Sequence, residues 1–233
     1  QINKNSNLSL LRVTKFYLKK IYLFFILFII KFFFKTCYPI SQDSYEICND
    51  FFLINKRKLK IRSLGTDLNI FYPSKKHFHT LRNKLGFKKT DFICIYTGRI
   101  TYDKGPHILL DAIKLLHTQG HYSVKGLFIG DGNEEYKKNF NISKFCKILN
   151  FVNYKELNKF YNISDIGVWP KQESTSQIDA LASGLCIIIN NNSGVAERAL
   201  NSGLLYQENS HIDLSKKIIE LMNYKKKLNY SQN

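Results

Sequence analysis

The sequence predicts an α/β fold, a parallel sheet wound from βαβ units with helices on both faces. Apolar, β-branched or aromatic runs recur at Phe92 to Tyr96, Val124 to Ile129, Ile166 to Trp169 and Leu185 to Ile189, each of strand length and bounded by turn residues. Each run is followed by a helical pattern: Lys104 to His117, Asn133 to Phe140, Ser174 to Ser183, and a weaker one near Val195 to Leu200. Such alternation builds a parallel sheet. The runs are continuously apolar rather than alternating, as expected of strands covered on both faces. No internal repeat with a period of roughly 20 to 50 residues is visible.

Composition is consistent with a folded chain. The 233 residues suffice for one full domain and part of another, since domains run to roughly 100–200 residues. Hydrophobic residues at 44% and charged residues at 23% are ordinary globular usage. The net charge of +17 would suit a polyanion. Its source, however, is overwhelmingly Lys scattered among Asn, Ile, Phe and Tyr, without the Arg-rich stripe or aromatic-basic repeat of a nucleic-acid module. We therefore expect no nucleic-acid partner, while phosphate-bearing small molecules remain suitable. Cys37, Cys48, Cys94, Cys146 and Cys186 form no C-x-x-C pair, which argues against a disulfide scaffold or zinc site and for a reducing cytoplasm. His77 and His79 lack further ligands nearby and read as a solvated helix start, so no metal is assigned.

The first element is a helix over 17–35, whose apolar core runs from Ile21 to Ile30 before Lys31 interrupts it. A bilayer crossing needs about 20 predominantly apolar residues. Two readings stay open: a helix packed in an N-terminal domain, or one lying on a membrane surface with Lys19, Lys20, Lys31 and Lys35 facing headgroups. A strand-like piece at 36–41 and a helical piece at 43–52 follow, then a basic connector, Asn55 to Lys60. The chain opens on Gln1, and we expect a piece of a longer protein. Residues 1–60 read as the remnant of an N-terminal domain with its connector, 61–224 as a ligand-binding α/β domain, and 225–233 as a tail.

Ligands of such sheets bind beyond the carboxyl ends of the strands, and the motifs stand there. Gly98-Arg99 and Lys104-Gly105 follow the first strand. Gly98 lets backbone approach a ligand, and the two cations stand near a helix start, a diphosphate site in outline. Ile129-Gly130-Asp131-Gly132 follows the second strand as a Gly-rich turn. After the third come Pro170, Glu173, Ser174, Thr175 and Asp179, ending at Gly184. Ser174 or Thr175 can cap a helix, with Gln177 completing a capping box, and Asp179 can accept both hydroxyls of a ribose. Each motif alone is equally compatible with a plain turn or cap.

Taken in order and spacing, these segments resemble the donor domain of retaining family-4 glycosyltransferases of the two-domain GT-B fold. The matching stations are Leu64-Gly65-Thr66-Asp67 with Phe71 and Pro73, Gly98-Arg99 with Lys104-Gly105, Ile129 to Gly132, Asp165 with Pro170, Asp179 to Gly184, Gly194 with Glu197, and Gly203 to Tyr206, so the likeness spans about Arg62 to Leu221. The resemblance implies a Rossmann-like donor-binding domain that needs no metal or other cofactor. It implies that Arg99 and Lys104 bind the donor diphosphate and steady the charge growing on the leaving group. Asp179 stands where the family has a Glu that holds the ribose, and Gly194 and Glu197 lie in the loop approaching sugar and phosphate. Gly98, Gly130, Asp131, Glu173 and Ser174 complete the expected substrate-binding set. Two stations depart: Asp179 is one methylene shorter than the family's Glu, and where the family carries the first acid of a pair, this chain has Lys171, the nearest acid being Glu173.

The expected activity is transfer of a sugar from a UDP- or GDP-linked donor to an acceptor hydroxyl, on a glycan or a lipid-linked acceptor, with retention of configuration. A nucleotide-sugar binding fragment without catalysis is the alternative. A sugar-nucleotide epimerase is disfavoured by the lack of a His or paired carboxylate placed for proton transfer.

Overall fold

The computed structural model describes residues 2–74, 78–141, 144–171, 173–192, 194, 196–199 and 202–231. Two units divide between Ser63 and Leu64. In the first, α1 (Ile2–Phe33) carries the aromatic segment, and Phe24, Phe25, Phe32 and Phe33 are each more than 60% exposed. Among the described residues no helix is long and apolar enough to cross a membrane. The strand expected at 36–41 is reduced to one isolated bridge, Cys37 to Leu59. Pro39 explains this, because its missing N–H breaks any continuing ladder. The helical piece at 43–52 divides into α2 (Gln42–Glu46), capped by Ser41 Oγ accepting from Ser44 N at 3.2 Å, and a π-helical turn Ile47–Phe51.

The second unit runs α3 (Phe78–Lys84), β1 (Phe92–Thr97), α4 (Pro106–Thr118), β2 (Val124–Ile129), α5 (Glu134–Asn141), β3 (Cys146–Leu149), α6 (Leu157–Ile163), β4 (Ile166–Trp169), α7 (Ser176–Ala182), β5 (Cys186–Asn190), β6 (Gly203–Tyr206) and α8 (His211–Ser231). The strands form a six-stranded sheet in the order β3-β2-β1-β4-β5-β6, every pairing parallel. The four runs read from sequence are the central strands, and β1 and β4 are buried along their whole length. The strands that periodicity missed, β3 and β6, are the two edges. With one neighbour each they stay partly exposed and need no continuous apolar run. Around Val195 to Leu200 the described residues form only a short 3-10 turn, Ala196–Ala199; Val195 and Leu200 lie outside them.

α4 shows how sequence builds the layer over the sheet. Gly105 supplies a left-handed residue (φ +73°) and Pro106 pre-sets the first helical turn. Ile108, Leu109, Ala112, Ile113 and Leu116 are then buried against β2 and α8, each large aliphatic side chain contributing roughly 1.5–3 kcal/mol. At the amino end of the central strands, buried Arg82 binds Asp165 at 2.7 Å and also donates to the carbonyls of Ile163 and Asp91. Asp165 accepts from Ile93 N at 2.8 Å. Asp165, a station of the sequence resemblance, thus joins α3, β1 and β4 at the end of the sheet remote from the strand carboxyl ends.

Candidate functional site

In this strand order the chain leaves β1 toward one edge and β4 toward the other. The loops beyond these neighbouring strands therefore diverge and leave a crevice at their carboxyl ends. Trp169 Nε1 donates to Thr97 O at 2.9 Å, joining the last residues of β4 and β1. Tyr96 OH donates to Arg99 O at 2.8 Å, and burial pushes this phenol well above its ordinary pKa. Thr97 Oγ1 and Tyr161 OH lie 2.9 Å apart beneath them.

A cavity of about 210 Å³ opens on this floor, with Gly98, Arg99 and Lys104 on one side and Glu173 and Ser174 on the other. The crevice thus brings together five residues picked out in the sequence. Arg99 is exposed and Lys104 half-buried, and among the described residues neither has an ion-pair partner. The two cations share this concave site with the Glu173 carboxylate and also act on Asp103, and without a direct ion pair they remain able to attract an anion that enters. A small-molecule site is usually about 300–1,000 Å³, so this cavity is smaller than a whole site of that kind.

Gly130 and Asp131 stand one layer behind. A Cβ on Gly130 (φ +150°) would lie 1.9 Å from Gly98 O, so only glycine lets the loops after β1 and β2 run in contact. Ile100 N donates to Asp131 O at 2.8 Å, and the Asp131 carboxylate accepts from Phe151 N at 3.1 Å. Ser174 Oγ accepts from Ser176 N at 3.2 Å, whereas Gln177 Oε1 accepts from Arg198 at 2.9 Å instead of closing a capping box. Asp179 does not line the cavity. It is 4% exposed and accepts from Thr66 Oγ1 at 2.5 Å and, more weakly, from Tyr154 OH at 3.4 Å. Burial pushes its carboxyl above the ordinary range while the two hydroxyls pull it back. Gly194 is half-buried after β5; the Glu197 side chain and His77 lie outside the described residues.

Sequence reasoning missed Arg198, which also donates to Ser174 O at 3.2 Å and so ties the segment after β5 to the cavity rim. It missed Tyr154 as a partner of Asp179. Neither carries a local signal, since both act across long sequence separations. Among the described residues no group of His, Cys, Asp and Glu could hold a metal ion. A larger hollow of about 310 Å³ lies between the 69–74 segment and α6. Its Asn158 and Asn162 are already bonded to each other and to the backbone of residues 72 and 74, and it stands away from the strand ends.

The family described as glycosyl transferases group 1 matches residues 77–233. Spore coat protein SA of Bacillus subtilis is 26% identical over 74% of this chain and 51% of its own length. Lipopolysaccharide 1,2-N-acetylglucosaminetransferase of Salmonella typhimurium is 26% identical over 52% of this chain and 36% of its own. The chain therefore spans about half or less of these relatives. Among solved structures, Anabaena HepE in complex with UDP and glucose superposes with a TM-score of 0.68 at 18% identity, covering 86% of this chain and 57% of that one. This likeness places the fold among the GT-B glycosyltransferases.

Proposed function

The chain belongs to the glycosyl transferases group 1 family, and on that premise we propose that it forms the donor-binding wall of an enzyme moving a sugar from a UDP- or GDP-linked donor to an acceptor hydroxyl with retention of configuration. The observation that carries the proposal is Arg99 and Lys104 lining one cavity at the β1/β4 crevice without an ion-pair partner among the described residues. Departure of a nucleoside diphosphate concentrates negative charge on the phosphate oxygens. Fixed cations in a partly enclosed site stabilise that charge without reorganising. Arg99 grips oxygens through paired N–H groups and Lys104 adds a point charge. In this reading the side chains neutralise the leaving group without a metal, so transfer survives chelation by EDTA. Asp179 holds the ribose, exchanging the Thr66 hydroxyl for those of the ligand. Glu173 and Gly194 face the sugar.

HepE was solved with UDP and glucose and the Salmonella relative is a lipopolysaccharide sugar transferase, which supports a uridine-linked donor and a glycan or lipid-linked acceptor. Five cysteines without a C-x-x-C pair suit a reducing, cytoplasmic setting. Contact of α1 with an anionic membrane surface is the alternative to its burial in an N-terminal domain, and co-sedimentation with anionic vesicles distinguishes them. Calorimetry with UDP and GDP, paired with a transfer assay on the full-length protein, tests the central reading. Binding with transfer is expected. Binding without transfer makes the protein a nucleotide-sugar binding module, and no binding removes the proposal.

A further inference from the structure

We propose that Lys171 is a positioning residue that ties the rigid end of β4 to the turn carrying Lys104, and so holds that ammonium in the donor cavity. The inference rests on the donor-binding reading above. Residue 171 follows Pro170, whose carbonyl accepts from Tyr206 OH at 2.6 Å and Asn190 Nδ2 at 3.1 Å. Tyr206 and Asn190 are themselves buried, so Lys171 starts from a fixed base.

Its target is not fixed in that way. Tyr102–Lys104 is a single 3-10 turn without a side-chain cap, and Tyr102 is 67% exposed. The Lys171 stem lies flat on the next residue, since a Cβ at Gly105 would stand 2.7 Å from Lys171 Cγ. Its ammonium sits 4.6 Å from the centroid of the Tyr102 ring. The same ring also stacks on His107, with centroids 4.4 Å apart and planes within 4°. His107 in turn shares a 2.7 Å hydrogen bond with Tyr136 OH. The turn is thus tied to β4 and to α4 and α5. An acid at position 171 would be repelled by the ring face that attracts a cation.

The test uses Lys171→Met, which keeps the stem and removes the charge, and Lys171→Arg, which keeps both. UDP affinity is read by calorimetry on the whole chain. Loss of one exposed cation–π contact should weaken UDP binding roughly two- to fivefold in Lys171→Met, with Lys171→Arg within twofold of the parent. In a Tyr102→Leu background the Met substitution should cost nothing further, because the two residues act as a unit. Full additivity would show Lys171 acting on the ligand directly and overturn the positioning role, as would a Met variant that binds like the parent. A ligand-independent readout is the His107 imidazole, whose pKa is lowered by burial and then by Lys171. Followed by NMR, it should rise in Lys171→Met. An unchanged His107 removes the contact itself. A raised His107 in a chain that binds neither UDP nor GDP sinks the donor reading, and the positioning role with it, while the contact stands.

Discussion

Replacing Lys104 by Met removes a charge from the donor cavity while keeping most of the side-chain volume. A hydrogen bond to a charged group contributes about 1.5–3 kcal/mol net, and 1.4 kcal/mol is tenfold in affinity. Lys104 is half-buried and lines the cavity, so water screens it only partly. The expected loss is about 10- to 100-fold in UDP affinity. Arg99 is exposed, and Arg99→Met falls near the lower end of that range. Both losses should shrink at high salt, because the Debye length falls from about 8 Å at physiological ionic strength to about 3 Å at 1 M. Lys114 on the exposed side of α4, already paired with Asp111 at 3.5 Å, is the control, and Lys114→Met should bind UDP within a factor of two of the parent. The assay is titration calorimetry at two salt concentrations, with thermal unfolding to confirm folding. If Arg99→Met and Lys104→Met both bind like the parent, the two cations do not form a diphosphate site and the functional reasoning fails.

Asp165→Ala leaves Arg82, 2% exposed, with a buried uncompensated charge. Urea denaturation should show a loss of about 3–5 kcal/mol, whereas a loss under about 1 kcal/mol would mean that the pair is not the clamp described. Gly130→Ala places a Cβ against Gly98 O in a left-handed backbone region, and should cost about 1–3 kcal/mol together with UDP binding; an unchanged melting temperature would refute the contact. Asp179 has a raised carboxyl pKa, so the folded state holds that proton more tightly than the unfolded chain. Its contribution is present in full below the unfolded value, near about 3.9, and is lost as pH rises through the folded one. The parent should therefore gain stability relative to Asp179→Asn as pH is lowered from neutrality toward about 4, and a constant difference in urea midpoint would contradict the assigned burial.

Local chemistry determined the central strands, α4, α5 and the positions of the turns that follow them. A strand covered on both faces must be apolar at every position, and Gly105-Pro106 or Gly130 answer to backbone geometry that few other residues meet. The residues of the cavity were likewise legible as cations and hydroxyls just past strand ends. The edge strands β3 and β6 were not, because each is only four residues long, with Lys147 interrupting the apolar residues of β3 and Gly203 opening β6. The break at Pro39 follows from an amide that lacks a hydrogen, a rule the periodicity of 36–41 concealed.

Only the tertiary structure decided which strands are neighbours, and therefore that the loops after β1 and β4 share one crevice. It also set apart residues that the sequence grouped. Asp179 is drawn to Thr66 and Tyr154, Gln177 to Arg198, and Lys171 to the ring of Tyr102. Each of these choices is made between chain segments far apart in sequence. The free energy of a hydrogen bond or a cation over a ring depends on distance and burial, and neither is a property of residue order.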